Sequence, residues 1–243
     1  MAIPAPAAEV ITPWKDDQHG PLVPLLLIAT MVTGLIDAIS YLSLGHVFVA
    51  NMTGNVIFLG FAVADAKDFS VAASLVALAA FLAGALAGGR LGSTAGHHRA
   101  RLLMIATCVK ILLLGAAFII ATATPDPDGA LVRYALIVLL ALAMGLQTAT
   151  ARRLGVPDMT TTVLTMTLTG FAADSTLAGG KNPYPGRRLM ATVTMLLGAA
   201  IGAILIFKVG ISAVLALALA FLAFNGIAAY RYSSSSAAWT AGK

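Results

Sequence analysis

Asp37 is the residue with the most chemistry to offer, because it lies well inside a long apolar run at 22–44. A carboxylate in such surroundings is costly and faces a protein interior or a water-filled cavity. Two outcomes are open for it. It binds a cation, a proton or a polar solute, with Ser40 and Tyr41 nearby on the same helix, or it is held structurally by Lys110 or a backbone amide. Lys110 is the basic residue deepest in an apolar run, at 102–123. It is either the ion-pair partner of Asp37 or an amphipathic side chain that snorkels to an interface.

Two further clusters carry chemistry, Asn51-Met-Thr-Gly-Asn55 and Asp158-Met-Thr-Thr-Thr162. Side-chain oxygens of Asn, Asp and Thr accept from the free amides at a helix start, and a half-helix starting inside a membrane aims a positive dipole at a solute path. Thr53 and Thr160, with Asn55 and Thr162, are then candidates to line that path together with Asp37 and Asn51. The alternative is ordinary capping at a membrane surface, with Gly54 easing a turn. His46 precedes the first cluster and is either a proton-responsive gate or an interfacial bystander. Thr160, Thr161, Thr162, Thr165, Thr167 and Thr169 make 159–173 too polar to face lipid. Their hydroxyls line a pore or bond back to the preceding helical turn.

The elements that must position these residues follow from composition. With 59% hydrophobic residues, 10% charged residues and a mean hydropathy of +0.93, the chain has more apolar surface than a water-soluble fold hides. A bilayer accommodates it if backbone polar groups are satisfied internally, by helices or a closed barrel. The runs are long and rich in Leu, Ala and Gly, whereas barrel strands alternate over roughly ten residues. An all-α, polytopic transmembrane bundle is therefore expected, with the lipid bilayer as its main partner. The net charge of +5 comes from loops flanking the runs, which fits membrane orientation and excludes nucleic acid. The single Cys108 permits no intramolecular disulfide. No nucleophile-base arrangement, paired-carboxylate site or phosphate loop is present, so an enzyme and a cofactor are not expected. The adjacent His97 and His98 point in different directions on a helix and do not imply a metal site.

Six runs, at 22–44, 71–91, 102–123, 130–151, 189–207 and 211–230, are long enough to cross a core of about 30 Å. The stretches at 47–64 and 159–173 are shorter or more polar. If both cross, eight spans result and the Lys and Arg residues divide almost evenly between the two sides. If both dip in and return, six spans result and eleven basic residues gather on the side of the termini against three opposite. The six-span arrangement is favoured, with both termini cytoplasmic, and eight spans is the alternative. Residues 22–232 are expected to form one transmembrane domain. A flexible tail at 1–21 and another at 233–243 flank it. No basic region precedes a short apolar stretch near the start, so a cleavable leader is not expected.

The halves at 22–123 and 130–230 resemble each other. Gly34-Leu-Ile-Asp-Ala38 matches Gly145-Leu-Gln-Thr-Ala149, Met52-Thr-Gly-Asn-Val56 matches Met159-Thr-Thr-Thr-Val163, and Gly84 and Gly88 match Gly198 and Gly202. Three spans per half invert the second copy relative to the first, an architecture common among transporters. The four matched glycines allow close helix packing, within the chain or in a homo-oligomer. The segment from Gly34 through Asp37-Ala38 to Asn51-Met-Thr-Gly-Asn-Val56 resembles the signature of YoaK-type bacterial membrane proteins, a family of unknown function. That resemblance implies a multi-pass protein of the bacterial cytoplasmic membrane and supplies no substrate. The residues favour a permease or channel-like protein for a small polar solute or ion, with a non-transporting scaffold or sensor as the alternative.

Overall fold

A computed structural model describes residues 19–64, 66, 69–124, 129–159, 164–181 and 184–242. Six of its helices are long and apolar enough to span a bilayer: α1 (Leu22–Ser43), α3 (Val71–Ala95), α4 (Arg99–Ala123), α5 (Ala130–Leu154), α7 (Pro185–Lys208) and α8 (Ile211–Tyr232). At 22 to 25 residues each is about 33–38 Å long at 1.5 Å per residue, so the molecule is a polytopic helical membrane bundle. Two short helices, α2 (Met52–Val63) and α6 (Leu164–Ala173), fall between them. They measure about 18 Å and 15 Å, half of what a core of about 30 Å requires.

Local chemistry sets the helix ends. Ser70 and His98 cap α3 and α4, their side chains accepting from Ala73 N and Arg101 N. Gly155, at φ +64°, ends α5 in the left-handed region, where glycine carries no Cβ penalty. Proline at the first position opens α7. Most spans run past their apolar stretches into basic ends: α4 starts at Arg99 rather than 102, α5 reaches Leu154, and α7 takes in Arg187 and Arg188. Long basic side chains let a helix continue to the membrane surface.

The direction of α1 against α5 decides the span count. The start of α1 meets the end of α5, since Leu22 and Leu154 share one apolar cluster and Arg99 bridges His19, just before α1, and Leu154 O. At the other end, Leu42 and Ser43 lie beside Val132 and Leu136. The helices are antiparallel, as six spans require. Eight spans would make them parallel, so that alternative is corrected, for want of length in α2 and α6.

The halves interleave. The main partner of α1 is α7 of the other half, and that of α3 is α5. The α1·α8 and α4·α5 contacts also exchange under the repeat, as do α2·α3 and α6·α7. The match extends to single atoms. A Cβ on Gly34 would collide with Met195 O and Ala199 N, and one on Gly145 with the corresponding Phe81 O and Ala85 N. Gly198 abuts Met31 O where Gly84 abuts Leu142 O, and Gly202 abuts Ala38 Cβ where Gly88 abuts Ala149 Cβ, all under 3.0 Å. These glycines are used inside the chain.

Residues 1–18 lie outside the described residues. The C-terminal segment, expected to be a flexible tail, is seated on the bundle end where α1 begins. Arg101 Nε donates to Ser233 O at 2.9 Å, Gly242 N to His97 O at 2.9 Å, and the Trp239 ring lies against Gly20. An aromatic ring and several orphan carbonyls gave this serine-rich stretch partners that its polarity concealed.

Candidate functional site

Between α1 and α2 the chain does not turn back at the surface. After Gly45 and His46, both at positive φ, it re-enters as an irregular, non-helical stretch, residues 47–51, whose Val47, Val49 and Ala50 are buried. Buried backbone outside a helix must find partners, and two side chains supply them. Asn55 makes a two-way clasp with Phe48: Phe48 N donates to Asn55 Oδ1 at 2.8 Å and Asn55 Nδ2 donates to Phe48 O at 2.6 Å. Asp37 Oδ1 accepts from Ala50 N at 3.3 Å, and Val49 N is a second amide donor to its carboxylate. Gly54 completes the device, because a Cβ there would strike the Phe48 ring at 2.6 Å. The cluster Asn51-Met-Thr-Gly-Asn55 is thus a re-entry motif that stands α2 on its amino end inside the protein.

Beside that end lies a cavity of about 450 Å³. Asp37 of α1 lies at its floor, 8% exposed, while Asn51 and Thr53 are exposed at its rim. Gly54 and Ile57 of α2, Leu164 and Thr165 at the start of α6, Thr148 of α5, Phe81 of α3 and Met195 of α7 complete the wall with Ala50 and Met52. Many of these are repeat partners: Asp37 with Thr148, Phe81 with Met195, Ile57 with Leu164. The cavity therefore sits on the axis relating the halves, where both half-helices begin. The Asn51 side chain makes no capping bond to α2, so the expected capping role of that residue is not taken up.

Of the residues singled out in the sequence, the structure brings Asp37, Asn51 and Thr53 together. Asn55 is fully buried and turned to Phe48. Thr160 and Thr162 lie outside the described residues, as does Thr161. In α6, Thr167 is buried while Thr165 and Thr169 are exposed. Ser40 donates to Asp37 O at 3.2 Å, and Tyr41 joins an aromatic cluster with His46, Phe48 and Phe58. Neither lines the cavity. Sequence reasoning missed Thr148, Phe81 and Met195, although Thr148 was legible as the repeat partner of Asp37.

The Asp37–Lys110 ion pair is not formed. Lys110 Nζ donates to Gln147 Oε1 at 2.5 Å, and Gln147 Nε2 donates to Thr33 Oγ1 at 2.8 Å. Thr33 stands one helical turn before Asp37, while Lys110 lines a separate pocket with Leu26, Ala29 and Gln147 and is absent from the wall of the cavity. Lys110 does not snorkel either: it is 3% exposed, held by an amide whose repeat counterpart is Ile36.

A second polar knot fixes the other half-helix. Arg188 of α7 bonds Asp158 Oδ2 at 2.8 Å, Asp174 Oδ2 at 2.7 Å and Gly170 O at 2.6 Å. It joins the chain before α6 to the chain after it. The guanidinium approaches so closely that a Cβ on Gly170 would lie 2.8 Å from Arg188 Cζ. The first half has Ser74 near the corresponding position and no such knot among the described residues, so its half-helix is held by Asp37 and Asn55 instead.

A family model described as "Protein of unknown function (DUF1275)" matches residues 25–228. The chain is 36% identical over 151 residues to the UPF0700 transmembrane protein YoaK of Bacillus subtilis (strain 168), an alignment covering 62% of this chain and 65% of that protein. The match thus spans just under two thirds of the relative's length. No solved structure matches the chain.

Proposed function

The chain belongs to the DUF1275 family of proteins of unknown function, and from that premise we propose that it is a permease or channel-like protein, moving a small polar solute or ion across the bacterial cytoplasmic membrane. One observation carries this reading: the cavity of about 450 Å³ at the starts of two half-helices, between repeat-related residues of interleaved halves. Half-helices starting at a site on the repeat axis are the arrangement by which secondary transporters hold solutes and exchange access between two sides. A carboxylate at the floor and hydroxyls on the walls suit a polar solute.

The same reading orients the chain. Arg90, Arg99, Arg101, Arg152, Arg153, Lys181, Arg187, Arg188 and Arg231 lie at the end where α1 begins, against Arg133 and Lys208 at the other. By the positive-inside rule the end where α1 begins is read as cytoplasmic. Among the described residues the cavity is lined by one carboxylate, hydroxyls, an amide and apolar groups, and transport without catalysis is the role proposed for it.

A scaffold or sensor is the competing reading, favoured by the bonds that the Asp37 carboxylate accepts from backbone amides. Aqueous access separates the two. In a Cys108→Ala background, Thr53→Cys and Thr148→Cys are expected to react with a membrane-impermeant thiol reagent applied to membranes from one side or the other. Silence at both positions from both sides, with an exposed loop cysteine reacting, would leave a dry packing gap and favour the scaffold.

A further inference from the structure

The wall of the cavity restricts what it can hold. Among the described residues lining it, Asp37 is the only charged side chain, and no Lys, Arg or His joins it. An anion would meet a carboxylate with no compensating cation in a low-dielectric site. A bare metal ion needs a compact shell of six or more oxygens at about 2.0–2.6 Å. Here the side-chain oxygens are spread over Asp37, Asn51, Thr53, Thr148 and Thr165, on four different helices and the stretch leading into α2, around about 450 Å³, which is far more room than one ion fills. The rest of the wall is soft and apolar, with an aromatic residue, Phe81, and two thioether residues, Met52 and Met195, among those lining it. Aromatic faces attract ammonium groups, and thioethers adapt to irregular organic shapes. A carboxylate has about four acceptor positions, of which the Val49 and Ala50 amides take two.

We propose that the cavity binds a small organic ammonium ion, its charged head on Asp37 and its carbon skeleton against Phe81, Met52 and Met195. This assignment rests on the reading of the cavity as a solute site. Hydroxyls of Thr53 and Thr148 accept the remaining ammonium hydrogens, and a short carbon skeleton packs against the apolar part of the wall. Asp37 is thus the specificity-determining group, selecting charge, while the wall selects size.

The test uses the full chain in lipid nanodiscs with three matched probes, butylammonium, butyramide and butyrate, titrated by calorimetry. Butylammonium is expected to bind with a roughly millimolar dissociation constant, the range accessible to so few heavy atoms, and the other two at least tenfold more weakly. Asp37→Asn keeps a carbonyl acceptor for the Ala50 amide and is expected to lose tenfold or more for butylammonium. Phe81→Leu is expected to lose several-fold for butylammonium alone. Binding of butylammonium unaffected by Asp37→Asn overturns the proposal. Butyramide or butyrate binding as tightly, and lost on plugging with Thr148→Phe, overturns the ammonium assignment and leaves the solute site standing. No binding by any probe overturns the assignment too; the cysteine reactivity of Thr53→Cys then decides whether the solute-site reading falls with it.

Discussion

At the scale of single residues, Asn55 shows how one amide determines where a helix starts. Its two bonds to Phe48 satisfy both backbone polar groups of that partly buried residue. Asn55→Ala leaves both unpaired, and at about 1–3 kcal/mol for each unmatched group the expected loss of stability is roughly 2–6 kcal/mol at full burial and towards the lower end here. Asn55→Asp keeps the acceptor and loses the donor, so it is expected to fall between. Thermal unfolding in detergent, with hydrogen exchange at the Phe48 amide, checks the order of the three. The sequence marked Asn55 as important but gave it a place on the solute path. Capping and lining use the same side-chain chemistry, and only the course of the non-helical stretch at 47–51 tells them apart. The Asp37–Lys110 pair failed for a related reason: depth along a helix is legible in a sequence, while the face on which a charge lies depends on how its helix is rotated.

At the scale of elements, the six spans were legible as apolar runs, and their ends were not, because Arg99, Arg153 and Arg187 extend helices beyond the apolar stretch. The close approaches of α1 to α7 and α3 to α5 can be tested directly. Gly145→Val and Gly34→Val place atoms under 3.0 Å from backbone and are expected to abolish folding, read as loss of a monodisperse peak in size-exclusion chromatography. Gly115 has nothing within 4 Å of a built Cβ. Gly115→Ala is therefore expected to be neutral or to stabilise by up to about 1 kcal/mol, the helix-propensity gap. In the Arg188 knot the two carboxylates differ in exposure, Asp158 at 19% and Asp174 at 47%. Solvent screening weakens the outer pair, so Asp158→Asn is expected to lower the melting temperature more than Asp174→Asn, with Asp174→Asn within about 1 kcal/mol of the parent.

At the scale of the whole molecule, the repeat and its inversion were legible from matched motifs and from the side on which charge gathers. The exchange of partners between halves was not, since no local pattern says which helix packs on which. Sidedness has a direct readout in intact cells lacking Cys108. Leu131→Cys, 84% exposed near the start of α5, is expected to react with an impermeant reagent from outside, whereas Leu177→Cys, 99% exposed on the opposite side, is expected to react only after lysis. The reverse pattern would invert the orientation while keeping six spans. Labelling of both from outside would contradict the antiparallel placement of α1 and α5.

Interleaving also sets a timetable for biosynthesis. The partner of α1 is α7, which ends at Lys208, so α1 enters the membrane long before the surface it packs against exists. At roughly 5–20 residues per second the wait is on the order of ten to forty seconds. Through that interval a helix bearing Gly34 and Asp37 stands in lipid or in the care of an insertase. A chain cut after α4 has no route to its native contacts and is expected to be degraded. Co-expression with a fragment carrying α5 to α8 is expected to rescue it, since neither half is a folding unit and each supplies the other's core.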